Sequence, residues 1–467
     1  MRLLSILLLV TACGDDASVA ADGAPPDHPP DAPACATPRA PDPDPAVEAL
    51  LQRLEAAMAA EHVPGLAYAV LKDGVVIEQR ALGVRELGAC EPFTASTRVR
   101  FGPALRALDA IAVLQEVARG AITLDTPVAS ILPGFGVTQG DAAGVTIRRV
   151  LDHSAGLYLA GFDDACPSQD LAGYWSVPRA ALEHAPGAAV GLWDEELSVQ
   201  GAVIERLAGV PYRQAMRQRV LSPLGMSATF DHDEFLAGTH GRGTSPGGQI
   251  LDREPCGVWE PTQQLYVDLA DAIALARFLR QGNPAVLSAA MFDLMRSVDG
   301  KDFFVELRRG FGVQSLVYDG VTRMTFTDGA FDGTGAEIDV FDDGYAVVFL
   351  ENAQSFTPAF TDAIIAARTP HTYVDPLRPL PAARLGEYSG EFVDALSSPP
   401  RTVEIDGPAL TGRFEGQAFT LSPVGEDTFE LAMFGATALV RFWRGANGEV
   451  ALLNGDLDHL GPTFHKQ

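Results

Sequence analysis

Lysine is almost missing from this sequence: it occurs only at Lys72, Lys301 and Lys466, so the positive charge is carried nearly entirely by arginine. Positive charge is itself scarce, with 34 basic side chains against 61 acidic ones and a net charge of −27. That balance opposes phosphate backbones and anionic lipid surfaces, and nucleic acid is not an expected partner. Among five cysteines there is no Cys-x-x-Cys, and no His-rich spacing accompanies them. No metal and no cofactor is therefore expected, and Asp231-His232-Asp233-Glu234 reads as a solvated loop rather than a ligand set. The apolar run near the N-terminus is too short to span a bilayer.

What is present describes a globular chain of 467 residues, 47% hydrophobic and 20% charged, with room for two or three domains. MRLLSILLLVTACGDD has an early arginine, a short apolar core and small residues before Cys13, the pattern of an export signal. Val10-Thr11-Ala12-Cys13 resembles a bacterial lipobox. The expectation is cleavage after residue 12, lipid on Cys13, and anchoring in the bacterial cell envelope facing the periplasm or the exterior; an ordinary cleaved signal is the alternative. Cys35, Cys90, Cys166 and Cys256 suit two disulfides in an oxidising compartment, and Cys35 with Cys90 plus Cys166 with Cys256 is one of three pairings.

Residues 13–45, rich in Ala, Pro and Asp, cannot bury enough apolar surface to fold and read as a tether. Apolar residues then recur at helical spacing from Val47 to His62. Two β-rich runs follow, Gly65–Leu71 and Val75–Gly83, joined at an Asp-Gly turn. A long helix is expected from Pro103 through Val117; it is apolar nearly all round, so it belongs inside a domain, and Arg106 and Asp109 interrupt it. Helices dominate to about residue 300, with sheet returning over Phe311–Tyr318, Arg323–Thr327, Glu337–Phe341 and Tyr345–Leu350, and a final helix over Phe360–Arg368. The pattern predicts an α+β fold: an antiparallel sheet flanked by helices, with an inserted all-helical lobe, over residues 46–372. A Pro-rich linker (373–382) leads to a small all-β, barrel-like domain over 383–467.

The run Val150-Leu151-Asp152-His153-Ser154-Ala155-Gly156-Leu157, then Pro186-Gly187, Pro211-Tyr212, Pro223-Leu224-Gly225-Met226 and Leu269-Ala270-Asp271, resembles the serine β-lactamase and penicillin-binding-protein superfamily. The likeness is to its class C-like branch of β-lactamases, DD-peptidases and esterases. The resemblance implies a Ser-x-x-Lys at the start of the buried helix, where the serine attacks a carbonyl and the lysine takes its proton. Spacing sets Pro103 and Arg106 at those positions, and no Ser-x-x-Lys occurs anywhere in the chain. Proline carries no nucleophile, and arginine keeps its proton. The Tyr-x-Asn position falls on Leu192, Trp193 and Asp194, and the His-Thr-Gly or Lys-Thr-Gly position on Phe326, Thr327 and Asp328, with Gly329 next.

These replacements make a set. The resemblance puts Arg106 opposite Asp194 and near Asp328, so an ion pair with either or both is expected; pairing with Asp109, or reach to solvent, is the competing expectation. Trp193, His153, Ser154 and Gly329 are the remaining residues expected to line the cleft. Gly243-Thr244-Ser245-Pro246-Gly247 fits Gly-x-Ser-x-Gly by letter but lacks the strand and helix of a nucleophile elbow. Three functional readings remain open. One is a β-lactamase-like protein without acyl transfer, binding a peptidoglycan-related, peptide or small-molecule ligand or serving as a scaffold. Another is an active serine hydrolase with other residues, and the third a ligand-binding module in the C-terminal β domain.

Overall fold

The computed structural model describes residues 39–467 except 89, 160–169, 192–193, 246–247, 252–256, 298–299, 302–307, 354–357, 375–381, 395, 397–399, 407–409, 415–416, 426, 434–435 and 456–462. The signal, Cys13 and the tether up to residue 38 lie outside the described residues, as do Cys35, Cys166 and Cys256; of the cysteines, only Cys90 lies inside. Helix α1 (Pro45–Ala60) begins where the Asp44 carboxylate accepts from Ala46 N at 2.8 Å, with Pro45 at a position that needs no N–H. Strands β1 (Gly65–Lys72) and β2 (Val75–Gly83) follow, and Asp73 and Gly74 turn between them with φ of 50° and 79°.

The chain then leaves the sheet for a helical lobe containing α2 (Arg106–Ala118), α3 (Asp194–Ala208) and α4 (Leu269–Gln281). It returns as β3 (Gly300–Lys301), β4 (Arg308–Arg309), β5 (Gln314–Val317), β6 (Arg323–Phe331), β7 (Thr334–Phe341) and β8 (Tyr345–Glu351), followed by α5 (Pro358–Arg368). All eight strands form one antiparallel sheet in the order β2-β1-β8-β7-β6-β5-β4-β3. β1 and β8 pair from Leu66↔Glu351 to Lys72↔Tyr345, so residues 273 to 285 apart in sequence meet as the second and third strands of the sheet. One face packs on α2 and α4 through Leu108, Ile111, Ile273 and Ile338; the other packs on α1 and α5 through Leu51, Leu54, Phe349 and Ile364.

Two expectations need correction. The helix from Pro103 is divided: Gly102–Leu105 forms a 3-10 turn with Pro103 in its first positions, and α2 proper starts at Arg106. Asp231, Asp233 and Glu234 are solvated, but they open a helix rather than lie in a loop: Asp231 caps His232–Ala237, accepting from Glu234 N at 2.9 Å, while His232 Nδ1 lies 2.7 Å from the Tyr266 hydroxyl.

A 3-10 turn (Ala382–Tyr388) opens the second unit. Strands β9 (Gly390–Asp394), β10 (Arg401–Asp406), β11 (Thr411–Phe414), β12 (Gln417–Gly425), β13 (Thr428–Met433), β14 (Ala436–Arg444), β15 (Val450–Gly455) and β16 (Phe464–Lys466) close into a barrel. Closure is made by β16 on β9, with Val393↔His465 in register. Its interior is filled by side chains, among them Tyr388, Phe392, Phe419, Phe429, Phe442 and Phe464. No helix among the described residues is long and apolar enough to cross a membrane.

Candidate functional site

The site is framed by the turn Gly102–Leu105, the start of α2 and strand β6. The strand lies directly on the turn: a Cβ at Gly329 would stand 2.5 Å from Ala104 N and 2.7 Å from Pro103 N, so only glycine fits there. The Thr327 hydroxyl donates to the Ala104 carbonyl at 3.1 Å and ties the same two segments together. The residue of β6 that abuts Pro103 is thus Gly329, the residue next after Phe326, Thr327 and Asp328.

Phe326 does not face this turn. It belongs to the core on the α1 and α5 face of the sheet, with Leu316, Phe341 and Phe349. The neighbouring Thr327, fully buried, faces the turn instead.

Arg106 is buried and forms an ion pair with Asp328, and its Nη2 also donates to Gln314 Oε1 at 2.9 Å. Two partners on separate strands hold the planar fork, as a guanidinium withdrawn from water requires. Asp194 begins α3, but its side chain lies outside what is described, as do Leu192 and Trp193. Asp109 is not the partner. It accepts from the Tyr212 hydroxyl at 2.6 Å, and full burial pushes its carboxyl well above the usual range, the Tyr212 bond opposing.

His153 and Ser154 are each only 4% exposed, so they sit beneath the site and do not line an open cleft. His153 has a φ of 55° and places Nδ1 3.3 Å from Glu196 Oε2. Burial, with the charges of Arg309 and Arg106, lowers the His153 imidazole; burial, with Asp152, Glu183 and Glu195, raises Glu196. Both shifts disfavour the charged form, and Glu196 Oε1 accepts from Ala155 N at 2.9 Å and Gly156 N at 3.1 Å. The Ser154 hydroxyl donates to Asp152 and accepts from Arg149 Nη1 at 3.3 Å. It is not directed at His153, so the adjacent pair is no base and nucleophile.

Ser245 follows the two-residue strand Gly243–Thr244, and a return strand, Ile250–Leu251, pairs back onto it. Ser245 Oγ accepts from Gln249 N at 3.1 Å, a hairpin turn rather than an elbow leading into a helix. No cluster of three or more metal-ligating side chains occurs among the described residues.

Sequence reasoning missed three groups here. Gln314 carries no local signal, since it is 208 residues from Arg106 and only sheet register brings it near. Glu195 and Glu196 were not singled out; both are buried, Glu195 Oε1 accepting from Leu159 N at 2.9 Å. Tyr212 was read only as part of a motif, yet its hydroxyl donates to the buried Asp109 carboxyl inside α2.

Known proteins share sequence and fold with this chain. Penicillin-binding protein 4 of Amycolatopsis lactamdurans is 28% identical over 381 residues, covering 73% of this chain and 97% of that one. Esterase EstB of Burkholderia gladioli is 32% identical over 200 residues, 38% of this chain and 50% of that protein. Among solved structures, SurE matches with a TM-score of 0.68 at 22% identity, covering 90% of this chain and 99% of its own. The octameric penicillin-binding protein homologue from Pyrococcus abyssi matches with a TM-score of 0.60 at 18% identity, covering 90% and 100%. These two likenesses carry the fold. The beta-lactamase family model matches residues 50–369, and the chain belongs to that family.

Proposed function

We propose that this protein does not perform serine acyl transfer, and that its altered cleft binds a ligand of peptidoglycan-related, peptide or small-molecule type or serves as a scaffold, on an exported, lipid-anchored chain. One observation carries the reading: the position of the general base holds Arg106, which is fixed by Asp328 and Gln314 and has no accessible neutral form. Pro103 adds the loss of the nucleophile. The two other serines weighed, Ser154 and Ser245, are engaged in a buried network and a hairpin turn. The reading of the barrel as a small-ligand module is weakened by its packed aromatic interior.

The test is to incubate the full chain with a fluorescent penicillin and with a fluorophosphonate and to measure intact mass. No adduct is expected from either. A stoichiometric adduct on any serine overturns the reading, and the site is then located by peptide mapping.

A further inference from the structure

We infer that the C-terminal barrel is a clamp on the lobe, so that barrel docking and the positions of residues 153–159 and 181–191 are set together. The contact has two parts. On the outer surface of the barrel, Trp443 and Leu452 pack against Ala189 and Val190, all four buried, with Ala451 beside them. Next to this patch Glu183 is held by the barrel's final strand region: its Oε2 accepts from Thr463 N at 3.0 Å, and its backbone carbonyl lies 2.6 Å from His465 Nε2. The barrel's Arg401–Asp394 pair, 3.3 Å apart, is near enough to act on the Tyr158 hydroxyl.

The gripped residues are not a free loop. Leu157 and Tyr158 pair with Leu182 and Ala181, Glu183 N bonds Gly156 O at 2.9 Å, and Gly187 N bonds Ser154 O at 2.7 Å. Gly191 N bonds His153 O at 2.9 Å, and Glu195 and Glu196 at the start of α3 bond back to Leu159, Ala155 and Gly156. The barrel therefore grips one hydrogen-bonded unit that runs from the His153 loop to the first turn of α3, where the second motif position lies. A partner that draws the barrel away would release that unit and leave the sheet intact.

The experiment is amide hydrogen exchange on the full chain for Trp443→Ala on the barrel side and Val190→Asp on the lobe side. Both are expected to raise exchange more than about tenfold over residues 153–159, 181–191 and 194–198, with β1, β7 and β8 unchanged. Glu183→Ala is expected to act in the same direction, and Glu183→Gln, which keeps an oxygen for Thr463 N, to stay near wild type. If Trp443→Ala unfolds the barrel outright, the lobe segments must still loosen. Exchange that rises only in barrel strands, or lobe segments unmoved by the lobe-side variant, overturns the clamp.

Discussion

Asp328 on β6 and Glu351 on β8 stand on one antiparallel sheet, and each carboxyl is largely withdrawn from water. Asp328 is met by the Arg106 guanidinium, whereas Glu351 Oε2 has no hydrogen-bond partner among the described residues. At Glu351 burial, with Glu337 and Glu61 adding repulsion, pushes the carboxyl well above its ordinary range, which favours the protonated form. Arginine has no such option, and a buried guanidinium has to be matched by an acid from another element. The α2–β6 junction is thus held by charge and the outer end of β8 by protonation, and the two should respond to different perturbations.

The largest effect should come from breaking the first. Arg106→Ala leaves Asp328 partly buried without its cation and should cost about 3 kcal/mol in urea unfolding, whereas Arg106→Met with Asp328→Leu should recover most of that loss. If the single variant is neutral, the pair is not what closes the junction. Gly329→Ala pushes a methyl group into the backbone of Pro103 and Ala104 and should cost about 2 kcal/mol, with a lowered thermal midpoint. Tyr212→Phe, which removes the hydroxyl partner of Asp109, should cost about 1 to 2 kcal/mol without changing the sheet.

The smallest change sharpens the other side. The raised folded-state value of Glu351 means that its contribution is fully present below the unfolded value and is lost as pH rises toward the folded one. Glu351→Gln should flatten that decline above about pH 4.5, gaining up to about 1 kcal/mol near pH 8. Denaturation curves at several pH values measure it; a variant that keeps the wild-type slope would assign the pH dependence to another group.

Much of this fold was legible in the residues. Asp73-Gly74 gave the hairpin, the apolar circumference of α2 gave a buried helix, and the alternating runs after residue 383 gave the β unit. Pro103 and Arg106 marked the altered site because two side-chain chemistries were absent at one helical spacing. Other features depended on tertiary context. Phe326 shows that alternation fixes a period and not a phase, since both faces of this sheet are buried and either suits an aromatic ring. Asp109 and Tyr212 lie 103 residues apart, and helix packing alone brings them together.

The grip on Glu183 also has a consequence in time. Thr463 and His465 come after the sheet, the lobe and seven barrel strands, so a ribosome has made all of these, Trp443 and Leu452 included, before the residues that hold Glu183 exist. This part of the lobe is therefore finished late in synthesis, and a chain stopped before residue 463 would lose barrel closure and this hold on the lobe at one stroke.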